Sequence, residues 1–188
     1  MKSFGKREVF AVEYEILDKN IGHFEMWVHN IPLCCFIKNN TVEQYTWNLS
    51  YIAEWLNKNL SNLLKEDEFP LPIKADSSIN FYQKSGDFDS DDIDEFDRWF
   101  EKRQEWYFCH SWYSNRAGSY LAEVFFRRVG NRIEIEWDNT NLYEEVSFVN
   151  PKGLYYIDVN LFKQIICEFI SDFFSSGKPD DLHSVPDR

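Results

Sequence analysis

The chain is short of glycine and of positive charge. Its seven glycines stand singly along 188 residues. No G-x-G-x-x-G, G-x-x-x-x-G-K-[ST] or G-x-S-x-G occurs, so the sequence carries neither a phosphate-cradling loop nor a nucleophile elbow. Twenty basic residues face thirty-two acidic ones, giving a net charge of −12 and an isoelectric point near 4.8. A surface this acidic argues against direct binding to nucleic acid or anionic membranes, which need a basic face. No run approaches the ~18 consecutive apolar residues of a membrane span. The start leads into Val9–Ile16, which alternates with acids instead of forming the apolar block of a signal peptide. The four cysteines, Cys34, Cys35, Cys109 and Cys167, include no C-x-x-C pair. Without an export signal they read as reduced, packed thiols, and the expected location is cytoplasmic. No cofactor is expected.

What the chain has instead is aromatic side chains, 18% of the total, and acid concentrated in one place. Its 22.6 kDa fits a single domain, read as residues 1–177 with a frayed polar tail at 178–188. Residues 66–97 hold eleven acids against Lys74 and Lys84, so this acidic connector carries −9 of the net −12. Asp87, Asp89 and Asp91 have the spacing of the first three EF-hand ligands. Asp92, however, stands where that loop needs glycine, and Arg98 where it needs a bidentate glutamate, which excludes a calcium loop. Part of the acidity suits a helix start. Ser90 can cap, with Asp91, Asp92 and Asp94 in the first turn against the positive end of the dipole. Ile93, Phe96 and Phe100 follow at helical spacing, with Trp99 beside them. A helix start gives no reason for Asp87 and Asp89. The functional reading is a negative, aromatic-spiked flank that docks on a basic protein. Asp87, Asp89, Asp91, Asp92 and Asp94 would steer the encounter, and Phe88, Phe96 and Trp99 would supply apolar anchors.

The rest of the pattern predicts an α+β fold, with a mostly antiparallel sheet built from hairpins and packed against two or three helices. In Val9–Ile16, Phe10, Val12, Tyr14 and Ile16 share one face, and in His23–His29 the inward set is Phe24, Met26 and Val28. A short strand is expected through Leu33–Ile37, and a helix from about Thr46 to Lys65, with Ile52, Trp55, Leu56, Leu60, Leu63 and Leu64 on one stripe. Residues 66–89 read as an irregular connector, and the acidic helix as running from about Asp91 to Glu105 or further. The second hairpin, Leu121–Asp138, turns on Gly130-Asn131, which pairs Val129 with Arg132, Arg127 with Glu134 and Phe126 with Ile135. One of its faces is apolar; the other, with Arg127, Glu134 and Glu136, reads as wet or partner-facing, and Arg128 snorkels from the apolar side. Strands at Glu145–Val149 and Leu154–Val159 lead into a last helix of regular i, i+3, i+4, i+7 spacing from Phe162 to Phe174, capped by Asp158 or Asn160 and stopped by Gly177 and Pro179.

Other chemistry is thinly represented. His23, Glu25 and His29 fall on the outer side of one strand, which suits surface histidines better than a zinc site, since H-E-x-x-H zinc motifs lie on helices. Cys109-His110 is adjacent in sequence, whereas Cys–His catalytic pairs are distant in the chain and meet in space. A second reading of function is an enzyme or small-ligand domain with an aromatic pocket near Trp106, His110 and Trp137.

Two stretches, 52–56 (Ile-Ala-Glu-Trp-Leu) and 125–139 (Phe-Phe-Arg-Arg-Val-Gly-Asn-Arg-Ile-Glu-Ile-Glu-Trp-Asp-Asn), resemble small bacterial proteins encoded beside toxins or in defence clusters. The overall character is similar to the cytosolic immunity proteins of contact-dependent growth inhibition and related polymorphic-toxin systems. That resemblance implies stoichiometric inhibition of a cognate toxin domain, often a nuclease, and no catalytic residue. A nuclease is basic because it binds phosphates, so an acidic flank suits it as a partner.

Overall fold

The structure, a computed structural model, describes residues 1–66 and 68–176. The expected frayed tail and the helix stop at Gly177 and Pro179 lie outside the described residues. The architecture is α+β, with three antiparallel sheets and four α-helices among the described residues.

The first hairpin forms as its alternation predicts, from β2 (Phe10–Asp18) and β3 (Ile21–Val28), with Val12 opposite Met26 and Tyr14 opposite Phe24. Phe10, Val12, Tyr14, Phe24, Met26 and Val28 are all buried on its inner side. The sheet extends further than the pattern suggests. On the β2 edge it gains β1 (Lys2–Lys6), where Phe4 is the only large apolar residue and leaves no alternation to read. On the β3 side it gains β4 (Ile31–Pro32). A small second sheet begins with β5 (Phe36–Lys38) and β6 (Thr41–Glu43), and the first sheet recruits β7 (Thr46–Asn48) against the start of β3. This last pairing delays helix α1, which runs Ser50–Leu63 and does not begin at Thr46.

The third sheet is built on β8 (Phe125–Val129) and β9 (Arg132–Asp138), joined by the two-residue turn in the expected register, with Gly130 at positive φ. After β10 (Ser147–Phe148), which completes the small sheet, β11 (Lys152–Asp158) pairs along the full length of β9. Gly153 faces Trp137 so closely that a Cβ there would collide with the indole. The last helix, α4 (Val159–Ser176), is capped by Asp158, which accepts from the backbone N–H groups of Asn160 and Leu161. Its buried stripe joins the first and third sheets. Phe162 meets Phe10 at 5.3 Å and Phe126 at 5.9 Å, while Phe169 meets Tyr14 and Phe24. One core cluster thus reaches from Phe10 to Phe173 and includes Trp55, Trp112 and Trp137. Arg128 behaves as expected, leaving the apolar face to donate to the carbonyl oxygens of Leu64 and Gly130.

Three further expectations are corrected. Residues 66–89 are not wholly irregular: they contain α2 (Ser78–Lys84) and a 3-10 turn at Ser85–Asp87. As a result the outer face of the third sheet is not wet, because α2 lies over it and Glu134 is fully buried. Glu25 likewise does not lie on an open outer surface. The chain from Ile31 to Cys35 folds over it, and its Oε1 accepts three backbone N–H groups, from Met26, Leu33 and Cys34.

Candidate docking flank

The acidic segment is mounted on the third sheet through α2. Ser77 caps this helix, and its first turn offers N–H groups to the sheet's carboxylates. Ser78 N and Oγ both donate to Glu134 Oε1 (2.9 and 2.6 Å), and Ile79 N donates to Glu136 Oε2 (2.7 Å). Glu134 also takes Arg127 Nη2 at 2.8 Å and the Tyr156 hydroxyl at 3.2 Å. Burial pushes the Glu136 carboxyl above its ordinary range, and the Ile79 N–H only partly offsets this. A second aromatic cluster then joins α2 to helix α3 (Ile93–His110): Tyr82 stacks on Tyr107 at 4.7 Å, and Trp106 and Tyr107 pack on Phe125.

Beyond this root the chain is pinned from α3. Trp99 Nε1 donates to Ser85 O at 2.8 Å. The Arg103 guanidinium lies over the Tyr82 ring at 3.8 Å and donates to Tyr82 O and Ser85 Oγ. Phe88 stacks flat on Trp99, with centroids 4.0 Å apart and planes 11° apart. These contacts hold the 3-10 turn and its approach to α3 in place. The helix is capped by Asp92, which accepts from Glu95 N, and not by Ser90. Ser90 Oγ accepts from Asp92 N and donates to Glu95 Oε2, closing the turn from the other side. Ser90 lacks the capping role because the helix starts at Ile93, two residues later than a Ser90 cap requires.

The sequence-selected residues therefore divide. Asp87, Asp89, Asp91 and Asp94 are exposed and make no hydrogen bond or ion pair among the described residues; Asp92 is exposed with one oxygen engaged in capping. Phe88 and Trp99 are half-buried against each other. The apolar groups that do face outward are Ile93, Phe96 and Phe100, with 75%, 41% and 50% of their surface exposed. Helical spacing is the signal that found these three, but the same spacing ordinarily marks a core stripe, so it gives no warning of their exposure.

The aromatic pocket near Trp106, His110 and Trp137 does not form. Trp106 packs on Phe125 on one side of the third sheet and stacks with His110 at 4.6 Å, while Trp137 is buried in the main core on the other side. His110 Nδ1 donates to Trp106 O, and Asn62 Nδ2 approaches the Cys109 sulfur. His23 Nδ1 meets Thr46 Oγ1, and His29 Nδ1 donates to Glu8 O. Among the described residues no three His, Cys, Asp or Glu side chains are grouped to hold a metal ion, and no helix is long and apolar enough to cross a membrane. All four cysteines are free. Cys34 is buried, whereas Cys167 is exposed on α4 and is not packed as the sequence suggests.

No protein-family model, no curated protein and no solved structure matches the chain.

Proposed function

We propose that this protein is an immunity-type inhibitor, which binds and neutralises a basic toxin domain, in keeping with a nuclease, in the cytosol. The observation that carries the reading is the exposed run of carboxylates at Asp87–Asp97, held on a pinned turn and a capped helix and ion-paired with no cation among the described residues. Surface acids with no internal partner raise the rate and specificity of encounter with a cationic protein, because both potentials are satisfied only in the complex. The aromatic clusters beneath them keep the flank in one geometry, which lowers the cost of ordering on association.

The test is co-expression with the product of the neighbouring gene as the candidate toxin domain, followed by affinity measurement at low and high salt. Charge reversal at Asp89, Asp91 and Asp94 leaves the helix cap at Asp92 intact. It is expected to weaken binding by at least about tenfold and to flatten the salt dependence. Unchanged affinity and an unchanged salt slope would remove this flank from the interface, and no complex with the toxin domain under any salt condition would overturn the function.

A further inference from the structure

Along the first turns of α3 each exposed apolar residue is followed directly by an acid: Ile93-Asp94, Phe96-Asp97 and Phe100-Glu101; the exposed Phe108, near the other end of the helix, is followed by Cys109. With about 100° of rotation per residue, Ile93, Phe96 and Phe100 fall within one narrow stripe, and Asp94, Asp97 and Glu101 form a second stripe along its outer flank. At ~1.5 Å of rise per residue the apolar stripe is about 10 Å long. Its other flank leads to Trp99, Arg103 and Trp106, which hold the helix to the body. Among the described residues Ile93, Phe96 and Phe100 belong to neither core cluster, and neither phenyl ring takes part in a ring contact.

We infer that this ridge is the energetic centre of the interface, and that its occupant is a basic protein presenting an apolar groove with lysines or arginines along one wall. The inference rests on the docking reading above and adds the shape and chemistry of the partner's site. Apolar side chains at i, i+3 and i+7 on an exposed helix are the anchors of helix-in-groove recognition. The adjoining acid stripe decides what borders the groove, since each anchor that enters brings a carboxylate to the rim beside it. A second copy of this chain is a poor occupant, because two molecules of net charge −12 would bring like charges together at the same ridge. An anionic membrane is excluded by the same repulsion. Phe88 and Trp99, stacked on each other, then act as the support beneath the ridge.

The test uses the full chain and two probes of equal positive charge, an amphipathic leucine–lysine helical peptide and an oligolysine, titrated at low salt. The expected result is that the leucine–lysine peptide binds about tenfold tighter or better. Substitution of Ile93, Phe96 and Phe100 by serine should abolish that preference while leaving oligolysine binding intact. Val42→Ser, at an exposed apolar site on β6, should leave both unchanged. Phe96→Ser alone should reduce the preference, should the triple variant misfold. Equal affinity of the two peptides, or a preference that survives the ridge substitutions or falls equally with Val42→Ser, would overturn the ridge and leave the acidic reading standing. Binding of neither peptide would overturn both.

Discussion

Replacing Glu134 with alanine should damage both the fold and the docking flank, and the structure gives the size of the effect. The carboxylate is fully buried and accepts from Ser78 N, Ser78 Oγ, Arg127 and the Tyr156 hydroxyl. Arg127 is itself largely covered, so removing its partner leaves a poorly solvated guanidinium as well as an orphaned helix N–H. Breaking a buried pair in this way costs about 3–5 kcal/mol, a large part of the ~5–15 kcal/mol of a typical domain. At ~2–4 °C per kcal/mol for a chain of this size, the melting temperature should fall by roughly 6–20 °C. Urea denaturation of wild type and variant measures the loss directly. Replacing both Arg127 and Glu134 with methionine should cost less than Glu134→Ala, because no charge is then left unpaired. Hydrogen exchange should quicken at Tyr82–Asp94 before it quickens in β2, since α2 carries the attachments of the flank. A loss below about 1 kcal/mol, the range of exposed ion pairs, would refute the view that this carboxylate ties α2 to the sheet.

Further outcomes follow from single sites. Lysine at Asp89, Asp91 and Asp94 should lower the melting temperature by only a few degrees, because these side chains have no partner among the described residues and Asp94 gives up a place at the positive end of the α3 dipole that is worth about 0.3–1 kcal/mol, whereas Asp92→Ala should cost about 1 kcal/mol through loss of the helix cap; a large loss from the lysine variant would mean that the flank is structural. Gly153→Ala should destabilise by about 1–3 kcal/mol and shift tryptophan fluorescence, since Trp137 must move in a filled core. Asp138 and Asp172 lie below their ordinary 3.8, held there chiefly by hydrogen bonds from Lys152 and Lys2; burial by itself would raise Glu13, but Arg7, Trp27 and Ser3 together hold it below its ordinary 4.5. Such depressed carboxylates stabilise the fold fully above their unfolded values, and that stability is lost as pH falls through the folded ones. Glu25 has the opposite sign: burial raises it above 4.5, so charging it as pH climbs costs native stability. Glu25→Gln keeps the oxygen that accepts three N–H groups and should gain on wild type between pH 4.5 and pH 7; thermal melts in which it loses ground over that interval would contradict the assignment.

Which parts of this molecule the sequence makes legible follows from how local the deciding physics is. The hairpin around Gly130-Asn131 is readable to the residue, because a two-residue turn fixes register without outside help. The α4 stripe is equally plain, since every turn contributes to one apolar face. β1 escapes notice because Lys2, Ser3, Gly5 and Lys6 surround a single Phe4, and its pairing is decided by the edge of β2. α2 is hard to see because its seven residues lie in a polar, proline-containing stretch; the cap at Ser77 was the available signal. The burial of Glu134 and Glu136 follows from α2, so alternation along β9 identifies a polar face and says nothing of what covers it. Phe125 and Tyr156 on that same face were the hint that it is not open water. At the flank the acids and the spacing of Ile93, Phe96 and Phe100 are visible in sequence, but the exposure of these three is not, because the same spacing describes a helix stripe whether it is covered or bare.

The first turns of α3 form a cantilever. They are rooted at Trp106 and Tyr107, and braced underneath by the strut of Phe88, Trp99 and Arg103. A beam built this way loosens at its free end long before its anchorage gives, so warming should release Asp89–Phe100 as a unit while the β-sheets stay closed. A partner gripping the free end would convert the beam into a bridge supported at both ends. Protection gained on complex formation would then be greatest at Ile93–Phe100 and fade toward His110, which makes the stiffness of one helix a gauge of whether the protein is occupied.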